Sequence, residues 1–150
     1  MHSRHGLAAA VAMMSAALLA VGAAPAAATH NAPGPSLVTS FDSPTFAESL
    51  AADRHGNLYA AVTNWDTESG QVVRIAPGGD QAPFGEALEG GMVTGLAFDQ
   101  TGDLYVGFVS FYSDTASGVY RVGTHGAPAQ VLSLGPESFP NGLAFHAGYL

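Results

Sequence analysis

The chain has 150 residues and a formal net charge of −8 at pH 7, from twelve acidic and four basic side chains. An acidic surface repels phosphate backbones, so nucleic acid is excluded as an expected partner. The sequence contains no cysteine, so an apolar core must stabilise the fold without disulfides.

The first 28 residues predict a secretory signal peptide. Arg4 precedes an apolar run from Leu7 to Ala24, and Ala26-Ala27-Ala28 provides an A-x-A cleavage site. A retained membrane anchor is the alternative interpretation of this run. Residues 29–36 are rich in Pro and Gly and predict a flexible linker. We therefore expect a secreted protein that has no membrane contact after cleavage and folds over residues 37–150.

Residues 37–150 repeat with a period of 46 or 47. Leu50, Leu96 and Leu143 occupy the same place in "ESLAAD", "TGLAFD" and "NGLAFH", so the repeats start near residues 48, 94 and 141. A period of this length is a signature of repeat architectures. No helical apolar period follows the signal peptide, which excludes a helical solenoid.

Each repeat predicts four short antiparallel strands. In the first repeat, "SLAAD" and "LYAAVTN" are joined by a turn from Asp53 to Asn57, and "QVVRIAP" and "APFGEAL" supply the third and fourth strands. The upstream segment "SLVTSF" (36–41) aligns with "AQVLSL" (129–134), which predicts an outermost strand. Four such strands make one blade, so the fold class is all-β, a β-propeller.

The repeat count predicts an incomplete propeller of about two and a half four-stranded blades. Even four blades need roughly 185 residues at this period. We therefore expect the chain to be a truncated form or a fragment of a longer protein. Its open strand edges would favour self-association between copies.

Three repeat-equivalent residues are the candidate site. Glu48, Thr94 and Asn141 precede the first strand of their repeats, and first strands line the central channel of a propeller. A carboxylate and an amide oxygen are hard ligands suited to Ca²⁺ or Mg²⁺. In the alternative interpretation, Glu48 is a solvated charge on the rim and Asn141-Gly142 is an ordinary turn pair.

These residues also carry a family resemblance. Glu48-Ser49-Leu50-Ala51, Gly56-Asn57-Leu58-Tyr59 and the stretch from Phe139 to Ala144 resemble the calcium-dependent gluconolactonase, senescence-marker-protein and regucalcin-like family of six-bladed propellers. The resemblance implies that Glu48 and Asn141 are metal ligands, with Ca²⁺ as the cofactor. Thr94 falls near a family Asn that contacts metal-bound water or substrate. The family's general-base Asp would lie beyond Leu150, and its Pro-x-Trp is here Leu50-Ala51-Ala52.

The resemblance implies that the full-length form is a divalent-metal-dependent lactone or ester hydrolase. Its substrate would be a small lactone or another sugar-derived molecule, and this chain would be inactive alone because the base is missing. The alternative is a non-catalytic NHL-like or strictosidine-synthase-like propeller that binds a ligand or a protein. Trp65 and Tyr112 would then be ligand-stacking residues, and ordinary loop packing is the other interpretation of these two side chains. His55, His125 and His146 lack the spacing of a zinc site.

Overall fold

The computed structural model describes residues 36–150, which form eight strands and no helix. The predicted signal peptide and linker lie outside the described residues, apart from Ser36. The strands form two antiparallel sheets, in the orders β1-β2-β3-β4 and β5-β6-β7-β8. Their bounds are β1 Thr45–Ala52, β2 Leu58–Asn64, β3 Ser69–Ile75, β4 Gln81–Glu89, β5 Gly91–Phe98, β6 Leu104–Ser110, β7 Gly118–Val122 and β8 Ala129–Ser133.

The predicted hairpins are present in both complete repeats. In sheet 1, β1 and β2 pair from Thr45↔Asn64 to Ala52↔Leu58, and residues 53–57 form the connection. In sheet 2, residues 99–103 connect β5 to β6. Gly56 and Gly102 have φ values of 83° and 94°, a conformation that glycine adopts without steric cost. The repeat of 46 residues in the sequence is therefore a repeat of one four-stranded sheet.

The main core lies between the two sheets. Side chains alternate across each strand, so one face of sheet 1 packs against one face of sheet 2. Phe108, Leu104 and Val106 of β6 are almost completely buried there. The other buried members of this core are Tyr59, Ala61, Val72, Leu88, Val93, Leu96, Tyr120 and Val122.

The opposite face of sheet 1 is also apolar. Ala60, Val62 and Ile75 form a second buried cluster, against which Phe41 packs. The strand predicted at residues 36–41 is wrong, because this segment has no regular secondary structure. It crosses the face of sheet 1, and the Gln81 amide donates hydrogen bonds to Thr39 Oγ1 and the Ser40 carbonyl. No neighbouring strand edge in the described part of the chain pairs with it.

The far face of sheet 2 is covered by the third repeat. The Phe145 ring lies 4.8 Å from the Tyr105 ring of β6. A Cβ added at Gly95 of β5 would lie 2.7 Å from the Leu143 nitrogen, so only glycine permits this close approach. The predicted third hairpin is reduced to one bridge, His146↔Tyr149, closed by a tight turn.

Each sheet thus has two apolar faces, and another part of the chain packs against each face. This arrangement is compatible with part of a β-propeller, whereas the number of blades and the closure of a ring stay predictions. The strand ends define two ends of the structure, which we name by their connections. The turn end contains residues 53–57 and 99–103, and the loop end contains residues 65–68, 90 and 111–117.

Candidate functional site

Glu48 and Thr94 lie inside the first strands of their repeats, β1 and β5, so the prediction that they precede these strands is wrong. They lie at the same irregularity in the two equivalent strands. The register of β1 shifts between Ala47 and Ser49, so Glu48 has no partner on β2. The register of β5 shifts between Val93 and Leu96, which leaves Thr94 unpaired in the same way. Such β-bulges re-aim side chains and are frequent next to active sites. The two strands also contact each other, so the bulges belong to neighbouring parts of the structure.

Glu48 is exposed and available to a ligand. It lines a cavity of about 460 Å³, whose apolar wall includes Phe41, Leu50, Leu58 and Ile75. Within residues 36–150 its carboxylate makes no ion pair.

Thr94 has a different environment from the one that its predicted role requires. Its side chain is fully buried, and its hydroxyl donates a hydrogen bond of 2.5 Å to the carbonyl of Pro140. This bond holds the third repeat against β5. A substrate-binding role for Thr94 stays a prediction, and it would need the hydroxyl to leave this carbonyl.

Asn141 follows Pro140 directly and is exposed. The structure therefore brings Thr94 and the backbone before Asn141 together, whereas Glu48 borders the cavity on the outer face of sheet 1. The close packing of Gly95 against Gly142 and Leu143 fixes this segment from its other side. Asn141 consequently presents its amide from a backbone that is held on both sides.

Glu48 and Asn141 offer the type of oxygen ligand that a hard cation prefers, but they supply only part of its coordination. Glu48 and Asn141 offer carboxylate and amide oxygens, whereas Ca²⁺ takes about six to eight oxygen ligands. Within residues 36–150, no group of three or more His, Cys, Asp or Glu side chains is placed to hold a metal ion. Water or residues outside this range would have to complete the shell.

The turn end contains a repeated hydrogen-bond network, whose tyrosine contacts the sequence reasoning missed. Asp53 accepts hydrogen bonds from the His55 and Asn57 backbone N–H groups, the Asn57 side-chain amide and the Tyr59 hydroxyl. Asp99 is bonded in the same way by its own turn and by Tyr105. The signal was present as an Asp followed six residues later by a Tyr in both repeats.

These hydrogen bonds shift the acidity of the groups involved. The bond from the Asn57 side chain is the largest cause that lowers the pKa of Asp53 to about 2. The Thr101 hydroxyl is the largest cause that lowers the pKa of Asp99. Burial and the negative charge of Asp53 raise the pKa of Tyr59. Both turns therefore hold ionised carboxylates at neutral pH. The hydrogen bonds to Asp53 and Asp99 stabilise the two turns.

A cavity of about 430 Å³ opens between the two turns and was not predicted. Tyr59, Phe84 and Phe98 line it, and the Tyr59 ring lies 5.0 Å from each of the other two in edge-to-face contact. The side chains of Arg54 and His55 lie at its rim. Edge-to-face packing of this kind stabilises the contact between sheets, which accounts for the aromatic residues here.

The loop end carries the aromatic residues of the alternative prediction. Trp65 and Tyr112 are exposed, with 45% and 66% of their surfaces accessible to solvent. They lie in the β2–β3 and β6–β7 loops respectively, at the end of the sheets where β1 and β5 begin. Both are therefore available for contact with a ligand.

Comparison with known proteins adds no family assignment. No protein-family model matches the chain, and a search of curated proteins finds no significant match. The class that the fold defines is an all-β protein built of repeated four-stranded antiparallel sheets. Residues 36–150 hold no helix suited in length and hydrophobicity to span a bilayer.

Proposed function

We propose that this chain is part of a secreted β-propeller. The support is a contact that recurs between successive repeats. The Tyr59 ring of the first repeat packs on Phe98 of the second, and the Tyr105 ring of the second packs on Phe145 of the third. Each sheet thus meets the next through equivalent residues, which is how blades follow one another around an axis.

Within this propeller, we propose a divalent-cation site of the gluconolactonase type. Glu48 would hold the ion through its carboxylate and Asn141 through its amide oxygen, with Ca²⁺ as the expected ion. The observation that carries this proposal is the pair of β-bulges at Glu48 and Thr94, because β-bulges are over-represented next to active sites. When bound, the ion would polarise the carbonyl of a lactone or ester.

The described residues would bind and orient the substrate. The Thr94 hydroxyl holds the Pro140 carbonyl and so fixes the backbone that presents Asn141. The activation of water is assigned by the family resemblance to an Asp beyond Leu150. The proposed activity is therefore hydrolysis of a small lactone or ester by the full-length form.

The test is a calorimetric titration of the chain with CaCl₂. Glu48→Gln and Asn141→Ala should each weaken binding by about tenfold or more, because each removes one oxygen ligand. Glu86→Gln is the matched control, since Glu86 is an exposed glutamate on β4 that lines no candidate site. Equal binding by all three variants, or no binding by the unmodified chain, would contradict the metal site.

A ligand- or protein-binding role without chemistry is the second candidate. It is favoured by the exposure of Trp65 and Tyr112 in loops at one end of both sheets. Large exposed aromatic side chains are frequent anchors of binding surfaces. An assay of lactone hydrolysis separates the two candidates in the full-length form. Proton release is measured once with Ca²⁺ and once with a chelator.

A further inference from the structure

The basic side chains of residues 36–150 lie at or near the turn end, whereas carboxylates occur at both ends. Among residues 36–150, no basic side chain lies at the loop end. Its carboxylates are those of Asp66, Glu68, Glu89, Asp114 and Glu137. The described arginines and histidines lie at or near the turn end: Arg54, His55, Arg74, Arg121, His125 and His146. The sequence contains no lysine. The loop end therefore presents an anionic surface that attracts cations.

Exposed aromatic rings share this surface. Trp65 and Phe111 lie 46 residues apart at equivalent places in the two loops, and their exposed fractions are 45% and 44%. The Phe111 ring also lies 5.8 Å from Tyr112 and 6.4 Å from Phe139, both of which are exposed. The repeat has thus placed an accessible aromatic side chain at the same end of each sheet.

The backbone holds the two loops in a fixed relation. The N–H of Gly90 donates a hydrogen bond to the Glu68 carbonyl, and the Gly90 carbonyl accepts hydrogen bonds from the Phe111 and Tyr112 N–H groups. The Ser113 hydroxyl donates a further bond to the Glu89 carbonyl. A surface held by these bonds needs little ordering when it binds a partner.

A cavity of about 390 Å³ opens beneath the β6–β7 loop. Its walls combine apolar groups from Phe111, Leu134 and Pro136 with the Asp114 carboxylate. Within residues 36–150, Asp114 makes no ion pair, and no side chain donates a hydrogen bond to it. An apolar wall beside a free carboxylate matches the alkyl stem and charged head of an arginine or lysine side chain.

We propose that the loop end binds a cationic peptide segment of a partner protein. One basic side chain would enter the cavity beside Asp114, and neighbouring guanidinium or ammonium groups would lie over the rings of Trp65 and Tyr112. Aromatic faces and carboxylates attract the same ligand charge, and no cationic side chain of residues 36–150 opposes it at this end. The inference names the partner class for the binding role proposed above, and it requires neither metal binding nor hydrolysis.

The experiment titrates the chain with an acetylated (Gly-Arg)₃ peptide in the presence of a chelator. Trp65 is the only tryptophan in the sequence, so its fluorescence reports binding at the loop end directly. Asp114→Asn and Tyr112→Ala should each weaken binding by about tenfold. The matched controls lie at the turn end: Asp80→Asn removes the same charge, and Tyr149→Ala removes another exposed tyrosine ring. Both controls should stay within about twofold.

Two outcomes would overturn this inference. Equal losses in Asp114→Asn and Asp80→Asn would show that the peptide responds only to net charge. Binding of a neutral oligosaccharide that quenches Trp65, without binding of the peptide, would assign the aromatic surface to a sugar instead. Because the titration contains a chelator, failure of the Ca²⁺ site would leave its result unchanged.

Discussion

Thr63 and Thr94 are two fully buried threonines, and only one of their hydroxyls is hydrogen-bonded within the described part of the chain. The same substitution can be made at both positions. Both side chains have 0% exposure and lie in strands. The Thr94 hydroxyl bonds the Pro140 carbonyl, whereas the Thr63 hydroxyl has no partner among the described residues. Threonine-to-valine replacement keeps the shape of the side chain and exchanges the hydroxyl for a methyl group. The pair therefore separates the contribution of one hydrogen bond from that of packing.

The two variants should change stability in opposite directions. In Thr94→Val, the lost bond and the carbonyl left without its donor should cost about 1–3 kcal/mol. In Thr63→Val, the unfolding free energy should rise by about 1 kcal/mol, because an unpaired buried hydroxyl is replaced by a methyl group. Urea unfolding followed by far-UV circular dichroism measures both, and the midpoints should separate by roughly 1 M or more.

Two results would contradict this prediction. If both variants lose stability equally, the hydroxyl of Thr63 has a partner, and the contrast drawn between the two sites is wrong. If Thr94→Val is neutral, the bond to Pro140 does not anchor the third repeat on β5. In that case the position proposed for Asn141 would lose its main support.

Two further predictions concern the packing of the third repeat and the repeated turns. Gly95→Ala should lower the unfolding free energy by about 1–3 kcal/mol, because its Cβ would lie 2.7 Å from the Leu143 nitrogen. Gly78→Ala, with no atom within 4 Å of its Cβ, should change it by less than about 0.5 kcal/mol in the same urea titration. The folded-state pKa values of Asp53 and Asp99 lie below the ordinary aspartate value of 3.8, at about 2 for Asp53. Their stabilisation is therefore complete above pH 3.8 and is lost as the pH falls towards 2, so melting temperatures between pH 5 and pH 2 should fall less steeply in Asp53→Asn.

The sequence was sufficient to predict the strands and their hairpins. Alternating apolar residues and the Asp-to-Gly turns are local signals, so they specified β1 and β2 and their equivalents in the second repeat. The failure at residues 36–41 has a physical reason. A strand needs a partner edge, and alignment with a later repeat cannot supply one within the described part of the chain.

Less of the candidate site could be predicted from the sequence. The repeat placed Glu48 and Thr94 in equivalent positions, and the structure gives both the same bulge. Their burial nevertheless differs, because the third repeat covers Thr94 whereas Glu48 faces an open cavity. Burial of this kind depends on contacts between residues about 46 positions apart, and no local pattern reports them.

The contact from Tyr59 to Phe98 has a consequence for how such a chain can grow. Tyr59 bonds the aspartate of its own turn through its hydroxyl and meets the following repeat through its ring. Tyr105 does the same with Asp99 and Phe145. Each unit of about 46 residues thus encodes both its own fold and the means of joining its successor. Duplication of one such unit would extend the array without any new interface having to evolve.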